Sequence, residues 1–246
     1  MIALGEIAVI GGGCYGSFYT GQLERAAYEG VIDYQSLAIV DRDENCAVAS
    51  LPPHTKRRLD ITTWDDFLDR WLVASERAVG DVPDMIVPSP LMPHLMASWI
   101  MRRASARWPD REVAMVPAAA ELGTPFDRLH PDGVRYVSHA DWLCPTHCVE
   151  PGLCPATRAP RTWEMGDTVA EWTRTRATER PTAGPALFTC RHVAYGVGMY
   201  PASCAFEGLD ALVALADAGD AADLVVGSVS ACHGAVGVIR VAAATG

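Results

Sequence analysis

Short apolar runs alternate with amphipathic stretches from the N-terminus to Asp141, and that alternation sets the expected elements. Ile7 to Ile10 is an unbroken apolar run that stops at Gly11-Gly12-Gly13. From Ser17 to Glu29, the residues Phe18, Leu23, Ala26 and Ala27 can share one helical face, and Gly30 ends the segment. Leu37 to Val40 is a second apolar run, closed by Asp41. Strand, glycine turn, helix and strand therefore follow one another at the length of a β-α-β unit. A further helix is expected after Thr63, which caps it, with Asp65 and Asp66 in its first turn where the helix dipole favours negative charge. Trp64, Phe67, Leu68, Trp71 and Leu72 recur at helical spacing and read as core; Gly80 closes the segment. Met85 to Val87 reads as a buried strand, Leu91 to Arg107 as a helix, and Val113 to Val116 and Val134 to Val137 as strands.

The period is lost at Trp142. Residues 142–182 are rich in Cys, Pro, Thr and Arg, and loops of that length in compact proteins are usually functional or linkers. An ordered insertion around the cysteines is expected, followed by an exposed segment from Glu171 to Pro181. Beyond it, Leu187 to Val197 is strand-like, and Ser203 caps a helix from Cys204 to Ala216. Leu224 to Val229 and Val236 to Val241 complete the pattern. Strands alternating with helices imply an α/β fold, with a mostly parallel sheet covered by helices on both faces.

The segment Gly11-Gly12-Gly13-Cys14-Tyr15-Gly16 fits G-x-G-x-x-G between a strand and a helix. In that pattern the first glycine permits a tight turn, the second lets a pyrophosphate approach the backbone, and the third lets helix and strand pack closely. The helix then aims its free N–H groups at the phosphates. Asp41 lies 25 residues beyond Gly16, at the end of the next strand, where a carboxylate can bind a ribose hydroxyl. Over about residues 5–45 the chain resembles the broad Rossmann NAD(P)-binding superfamily. The resemblance implies a Rossmann-like fold and a nucleotide site at Gly11, Gly13, Gly16 and Asp41, for NAD(P) or FAD. Arg42 beside Asp41 leaves the choice between NAD and NADP open. The domain reading is a nucleotide-binding domain over 1–141, a Cys/Pro-rich metal-binding insertion and linker over 142–182, and a C-terminal α/β segment over 183–246 that completes the sheet.

Charge narrows the partners. The formal net charge is -10, and Lys56 is the one lysine, so the chain lacks the clustered cations that nucleic-acid phosphates require. No apolar stretch reaches the length of a membrane span, and Glu6 and the glycines break the pattern of a signal peptide. The chain reads as cytoplasmic. In a reducing compartment its eight cysteines point to metal or redox chemistry rather than disulfides.

Three cysteines fall within eleven residues, Cys144-Pro-Thr-His-Cys148-Val-Glu-Pro-Gly-Leu-Cys154-Pro, spaced C-x3-C-x5-C. Thiolates that close can converge on one centre, and the prolines lower the entropy lost when the loop closes. The spacing matches neither the bacterial ferredoxin run nor a paired C-x2-C zinc ribbon. An iron–sulfur cluster is the first expectation and zinc the alternative. A fourth ligand is expected at Cys190, with Cys232 next and His147, His192, Cys204 and His233 behind them. Cys204 as a nucleophile and His139 as a base are weaker readings, and no catalytic acid–base set is identifiable. The expectation is a cytoplasmic redox protein that binds a dinucleotide and a cysteine-ligated metal centre. The alternative is a non-catalytic accessory or assembly subunit whose site serves a redox partner or larger complex.

Overall fold

The computed structural model describes residues 1–77, 82–89, 95–145 and 148–244. Along the chain run β1 (Ile2–Ile10), α1 (Cys14–Tyr28), β2 (Ile32–Asp41), β3 (Arg57–Ile61), α2 (Trp64–Arg77), β4 (Met85–Val87), α3 (Leu95–Arg107), β5 (Val113–Val116), β6 (Phe126–Leu129) and β7 (Arg135–Ser138). They are followed by α4 (Met165–Ala177), β8 (Thr182–Thr189), β9 (Arg191–Ala194), β10 (Val197–Pro201), α5 (Ser203–Ala216), β11 (Ala222–Val229) and β12 (His233–Val241). The chain divides into two compact units. One is Met1–Pro93 with Cys190–Ser203, and the other is His94–Thr189 with Cys204–Gly246. The boundary expected at residue 141 lies within the second unit, and the strands after residue 182 are shared between the two. Gly80 and the start of the helix expected at Leu91 lie outside the described residues.

In the first unit the strand order is β3-β2-β1-β4-β10-β9. The first four strands are parallel, whereas β10 is antiparallel to β4, and β9 to β10. Ile7 to Ile10 and Leu37 to Val40 are buried without interruption, as strands covered on both faces must be. Gly16, Thr20, Leu23 and Ala26 form the buried face of α1. Thr63 caps α2 as expected: its hydroxyl accepts the Asp66 N–H at 3.1 Å and donates to the Asp66 carboxylate. Phe67, Leu68, Trp71 and Leu72 are core. β3 escaped the sequence reading because Arg57, Arg58 and Asp60 make it polar, which suits an edge strand. Arg58 forms a two-pronged ion pair with Glu6 of β1.

The second sheet runs β6-β7-β12-β11-β8, with β5 beside β12. Only β11 and β8 pair in parallel; the other pairs are antiparallel. The expectation of one mostly parallel sheet is thus corrected to an α/β fold with two mixed sheets. The reason lies in the connections. Only Ser230, Ala231 and Cys232 separate β11 from β12, and Tyr195-Gly196 separates β9 from β10. Links that short can join only antiparallel neighbours. Tyr195 (φ 47°) and Gly196 (φ 79°) both take positive φ, as a two-residue hairpin turn of the I′ type requires.

The segment from Glu171 to Pro181 is mostly exposed, as expected, but its first part, to Ala177, belongs to the helix α4. Met165, Val169 and Trp172 fall on one face of α4 and pack with Val225, Val229, Val236 and Val238 of the sheet. The stripe is narrow and sits among Thr, Arg and Glu, which hid it. Asp223 ties α4 to the sheet. It is 1% exposed and receives hydrogen bonds from Arg240 at 2.7 and 2.9 Å and from Arg176. Burial alone would raise its carboxyl, but the hydrogen bonds from Arg240 and Arg176 outweigh burial and hold it below the usual range. Asp223→Asn should cost on the order of 3 kcal/mol near neutral pH, because two partly buried guanidinium groups lose the counter-charge of a buried carboxylate. A depressed carboxyl pKa contributes stability above the ordinary carboxylate range and loses it on acidification. Urea unfolding of wild type and variant should therefore differ at pH 7 and converge as pH falls below that range. A constant gap down to strongly acid pH would contradict the assignment.

Candidate functional site

The glycine loop leaves the carboxyl end of β1, where the strand order turns from the β2 side to the β4 side. Such a reversal opens a crevice at the strand ends. Gly11 takes φ +96°, a conformation that favours glycine, and its N–H donates to Val40 O at 2.9 Å. The Asp41 carboxylate accepts the Gly12 N–H at 2.7 Å and the Asp43 N–H at 3.0 Å. Asp41 therefore braces the loop, and each of its oxygens keeps a further lone pair for a ligand. The other glycines of the loop differ in what surrounds them. A Cβ on Gly16 would lie 1.8 Å from Gly11 O, so helix and loop touch there. A Cβ on Gly12 would lie 2.5 Å from Cys46 Sγ, which gives that buried cysteine its role beneath the loop. A Cβ on Gly13 would meet nothing within 4 Å. Gly13 is also the N-cap of α1, which has no side-chain cap and no acidic residue in its first turn. Gly11, Gly13, Gly16 and Asp41 are thus brought together in one unit.

The cysteine loop belongs to the second unit and closes over the β11–β12 turn. Glu150, between Cys148 and Cys154, is the residue that joins them. Its carboxylate accepts the Ser230 hydroxyl at 2.6 Å and the Ala231 N–H at 2.8 Å, while its own N–H donates to Cys148 Sγ at 3.4 Å. Glu150 adopts φ 53°, so the chain bends sharply to make both contacts. Cys232, in the same turn, is buried; its sulfur accepts the Trp163 indole N–H at 3.3 Å, and its carbonyl accepts the His139 N–H at 2.8 Å. Cys154 is buried within a small fold of its own, in which Cys154 N–H donates to Ala159 O and Arg158 N–H to Cys154 O.

The sulfurs differ in their surroundings. The backbone and then the hydroxyl of Thr157 hydrogen-bond to Cys154 and hold its thiol below the ordinary value. Partial burial, with the Cys148 and Cys154 thiolates behind it, pushes Cys144 up. Burial, with Glu150 and Cys144 adding to it, pushes Cys232 up, opposed by the Trp163 N–H and Arg161. Among the described residues, no three His, Cys, Asp or Glu side chains already stand at metal-ligand spacing. His147 lies outside the described residues.

Other candidates are placed elsewhere. Cys190 lies in the first unit at the start of β9, near Gly198 and Tyr19, and His192 accompanies it there with Nδ1 3.0 Å from Gly196 O. Burial and then Glu207 push the Cys204 thiol up, the opposite of what an activated nucleophile needs. His139 packs against Trp163 at 6.1 Å and shares a hydrogen bond with Thr168 at 3.0 Å, and burial lowers its pKa. A cleft of about 540 Å³ along α4, lined by Glu121, Asp167, Glu171, Trp172 and Glu179 among others, contains none of the cysteines. Glu150 and Trp163 escaped the sequence reading; the one signal was an acid held between two cysteines. No helix among the described residues is long and apolar enough to cross a membrane.

Residues 96–242 match the family model AF_1314_C, described as "Uncharacterized protein, C-terminal domain". The chain belongs to this family. The AF_1314_C match spans α3 to β12, so it takes in the whole cysteine loop and the β11–β12 turn but not the glycine loop. No curated protein and no solved structure matches the chain.

The unequal glycines give a direct test of the loop. Gly16→Ala should lower stability by about 2 kcal/mol, since a close backbone contact must open. Gly13→Ala should leave the melting temperature near that of wild type, because the added methyl enters open space. Equal thermal stabilities of the two variants would mean that Gly16 is not at the contact described.

Proposed function

We propose that the protein is a cytoplasmic redox protein with a Rossmann-type dinucleotide site in its first unit and a cysteine-ligated metal centre in its second. The observation that carries the reading is the spacing of Cys144, Cys148 and Cys154 within eleven residues of one loop, which Glu150 ties to the β11–β12 turn. Thiolates collected without a cation repel one another, and a bound metal reverses the sign of that interaction. In chemistry the donor set suits an iron–sulfur cluster, with zinc as the alternative: sulfur ligands, with backbone N–H donors at Cys148 and Cys154. A bound cluster would supply one-electron transfer.

Support for the dinucleotide comes from the parallel order β3-β2-β1-β4 with the glycine loop at its switch point, and from the open space at Gly13. In this reading the backbone of Gly11 to Gly13 and the first turn of α1 hold the pyrophosphate of NAD(P) or FAD. Asp41 braces that loop and offers its remaining lone pairs to the ribose. The second reading, an accessory or assembly subunit for a larger complex, is favoured by one observation. His139, the best-placed base, is tied to Thr168 and packed on Trp163 rather than presented to a substrate.

Gly13→Val should abolish NAD(P) or FAD binding in calorimetry while leaving the circular dichroism spectrum unchanged, since the side chain fills the space a phosphate needs. Wild-type protein that binds none of these nucleotides would remove the dinucleotide from the account. The raised thiol of Cys144 adds a pH dependence. It must lose its proton to bind metal, so metal affinity should rise with pH through the thiol range and fall on acidification. Competition with a chelator at several pH values reads this directly; a pH-independent affinity would exclude this thiol as a ligand.

A further inference from the structure

We infer that Trp64 is the platform on which the base of the nucleotide stacks, beside the glycine loop and Asp41. The inference rests on the reading that the glycine loop holds the pyrophosphate of a dinucleotide.

Trp64 stands apart from the apolar stripe to which its spacing assigns it. Phe67, Leu68, Trp71 and Leu72 are buried, whereas Trp64, the first residue of α2, is only half-buried. Its position follows from strand register. Ile61, the last residue of β3, pairs with Asp41, the last residue of β2. The Thr62 N–H then donates to Asp41 O at 3.0 Å, and α2 begins two residues later. The chain turns back there across the end of β2, and the indole ring reaches the glycine loop: a Cβ on Gly11 would lie 3.7 Å from Trp64 Cζ2. Gly11, Asp41 and Trp64 therefore border one crevice at the carboxyl ends of three parallel strands, β1, β2 and β3.

The two helices that begin at this crevice differ in what they offer a nucleotide. α1 starts at Gly13 with no side-chain cap and no acid in its first turn, so its N–H groups suit a phosphate. α2 starts at Thr63, whose hydroxyl accepts the Asp66 N–H, and carries Asp65 and Asp66 in its first turn. Two carboxylates at that end disfavour a phosphate. What α2 presents instead is an aromatic face, and aromatic faces hold planar bases by stacking. Asp41, between the two, keeps lone pairs for a ribose. Phosphate, ribose and base follow one another in a nucleotide as the start of α1, Asp41 and Trp64 follow one another across the sheet from β1 to β3. The other exposed rings near the loop, Tyr15 and Phe18, belong to α1 itself and pack on Tyr19 at 6.3 and 5.9 Å.

The test uses the full chain as wild type, Trp64→Ala and Trp64→Phe, titrated by calorimetry with ADP and with inorganic pyrophosphate, and with ADP by tryptophan fluorescence. ADP carries base, ribose and phosphates, and pyrophosphate the phosphates alone. Trp64→Ala should bind ADP at least about fivefold more weakly than wild type, the loss expected when a base loses its aromatic platform. It should bind pyrophosphate as wild type does. Trp64→Phe retains a ring and should recover most of the ADP affinity. ADP should quench part of the wild-type emission and leave that of Trp64→Phe unchanged. Unaltered ADP affinity in Trp64→Ala would overturn the inference. Equal losses for ADP and pyrophosphate would overturn it too, since the ring would then support the loop rather than a base. Wild-type protein that binds neither compound would instead overturn the reading of the glycine loop. The fluorescence arm stands even where Trp64→Ala does not fold, because wild-type emission unchanged at saturating ADP contradicts a stacked base.

Discussion

The cysteine site depends on one carboxylate. Glu150 reaches from the cysteine loop to the Ser230 hydroxyl and the Ala231 N–H at the tip of the β11–β12 hairpin. Without that contact, the loop from Trp142 to Glu164 would be held by its own short turns and by side chains at its end. With it, a loop poor in regular structure is referred to a hairpin buried along nearly its whole length. Charge-assisted hydrogen bonds are about twice as strong as neutral ones, which suits a carboxylate to this task. The positive φ at Glu150 is the backbone strain accepted to make the reach.

The first unit solves a related problem with backbone alone. Its glycine loop must turn sharply at the end of β1, lie close to α1 and leave space for a ligand. Gly11 takes the positive φ, Gly16 takes the close contact, and Gly13 faces the open side. Asp41 plays the part there that Glu150 plays in the second unit, since its carboxylate collects two loop N–H groups. In both cases an acid that sequence reading treats as a ligand-binding or incidental residue first holds a loop in place.

How much of this was legible in the sequence follows from how each feature is encoded. Uninterrupted apolar runs such as Ile7 to Ile10 and Leu37 to Val40 announce strands covered on both faces, and those were read correctly. The Thr63 cap and the stripe from Phe67 to Leu72 were equally plain. Polar edge strands were not: β3 carries Arg57, Arg58 and Asp60, and its strand character comes from pairing with β2 rather than from composition. The helix α4 was hidden because only Met165, Val169 and Trp172 face inward. The parallel or antiparallel sense of the sheets depended on two short turns, and Tyr195-Gly196 is a weaker signal than Asn-Gly. The three clustered cysteines stood out from spacing alone. The loop's relation to the turn that carries Cys232 could not, because it is made by Glu150 and Trp163 across 69 to 81 residues of sequence.

The central claim is that Cys144, Cys148 and Cys154 bind one metal centre. X-ray absorption at the metal edge of anaerobically purified wild-type protein addresses it without altering a residue. The account predicts a first shell dominated by sulfur, at about 2.3 Å, the distance of a metal–thiolate bond. A first shell of nitrogen or oxygen at about 2.0 Å, without sulfur, would contradict it.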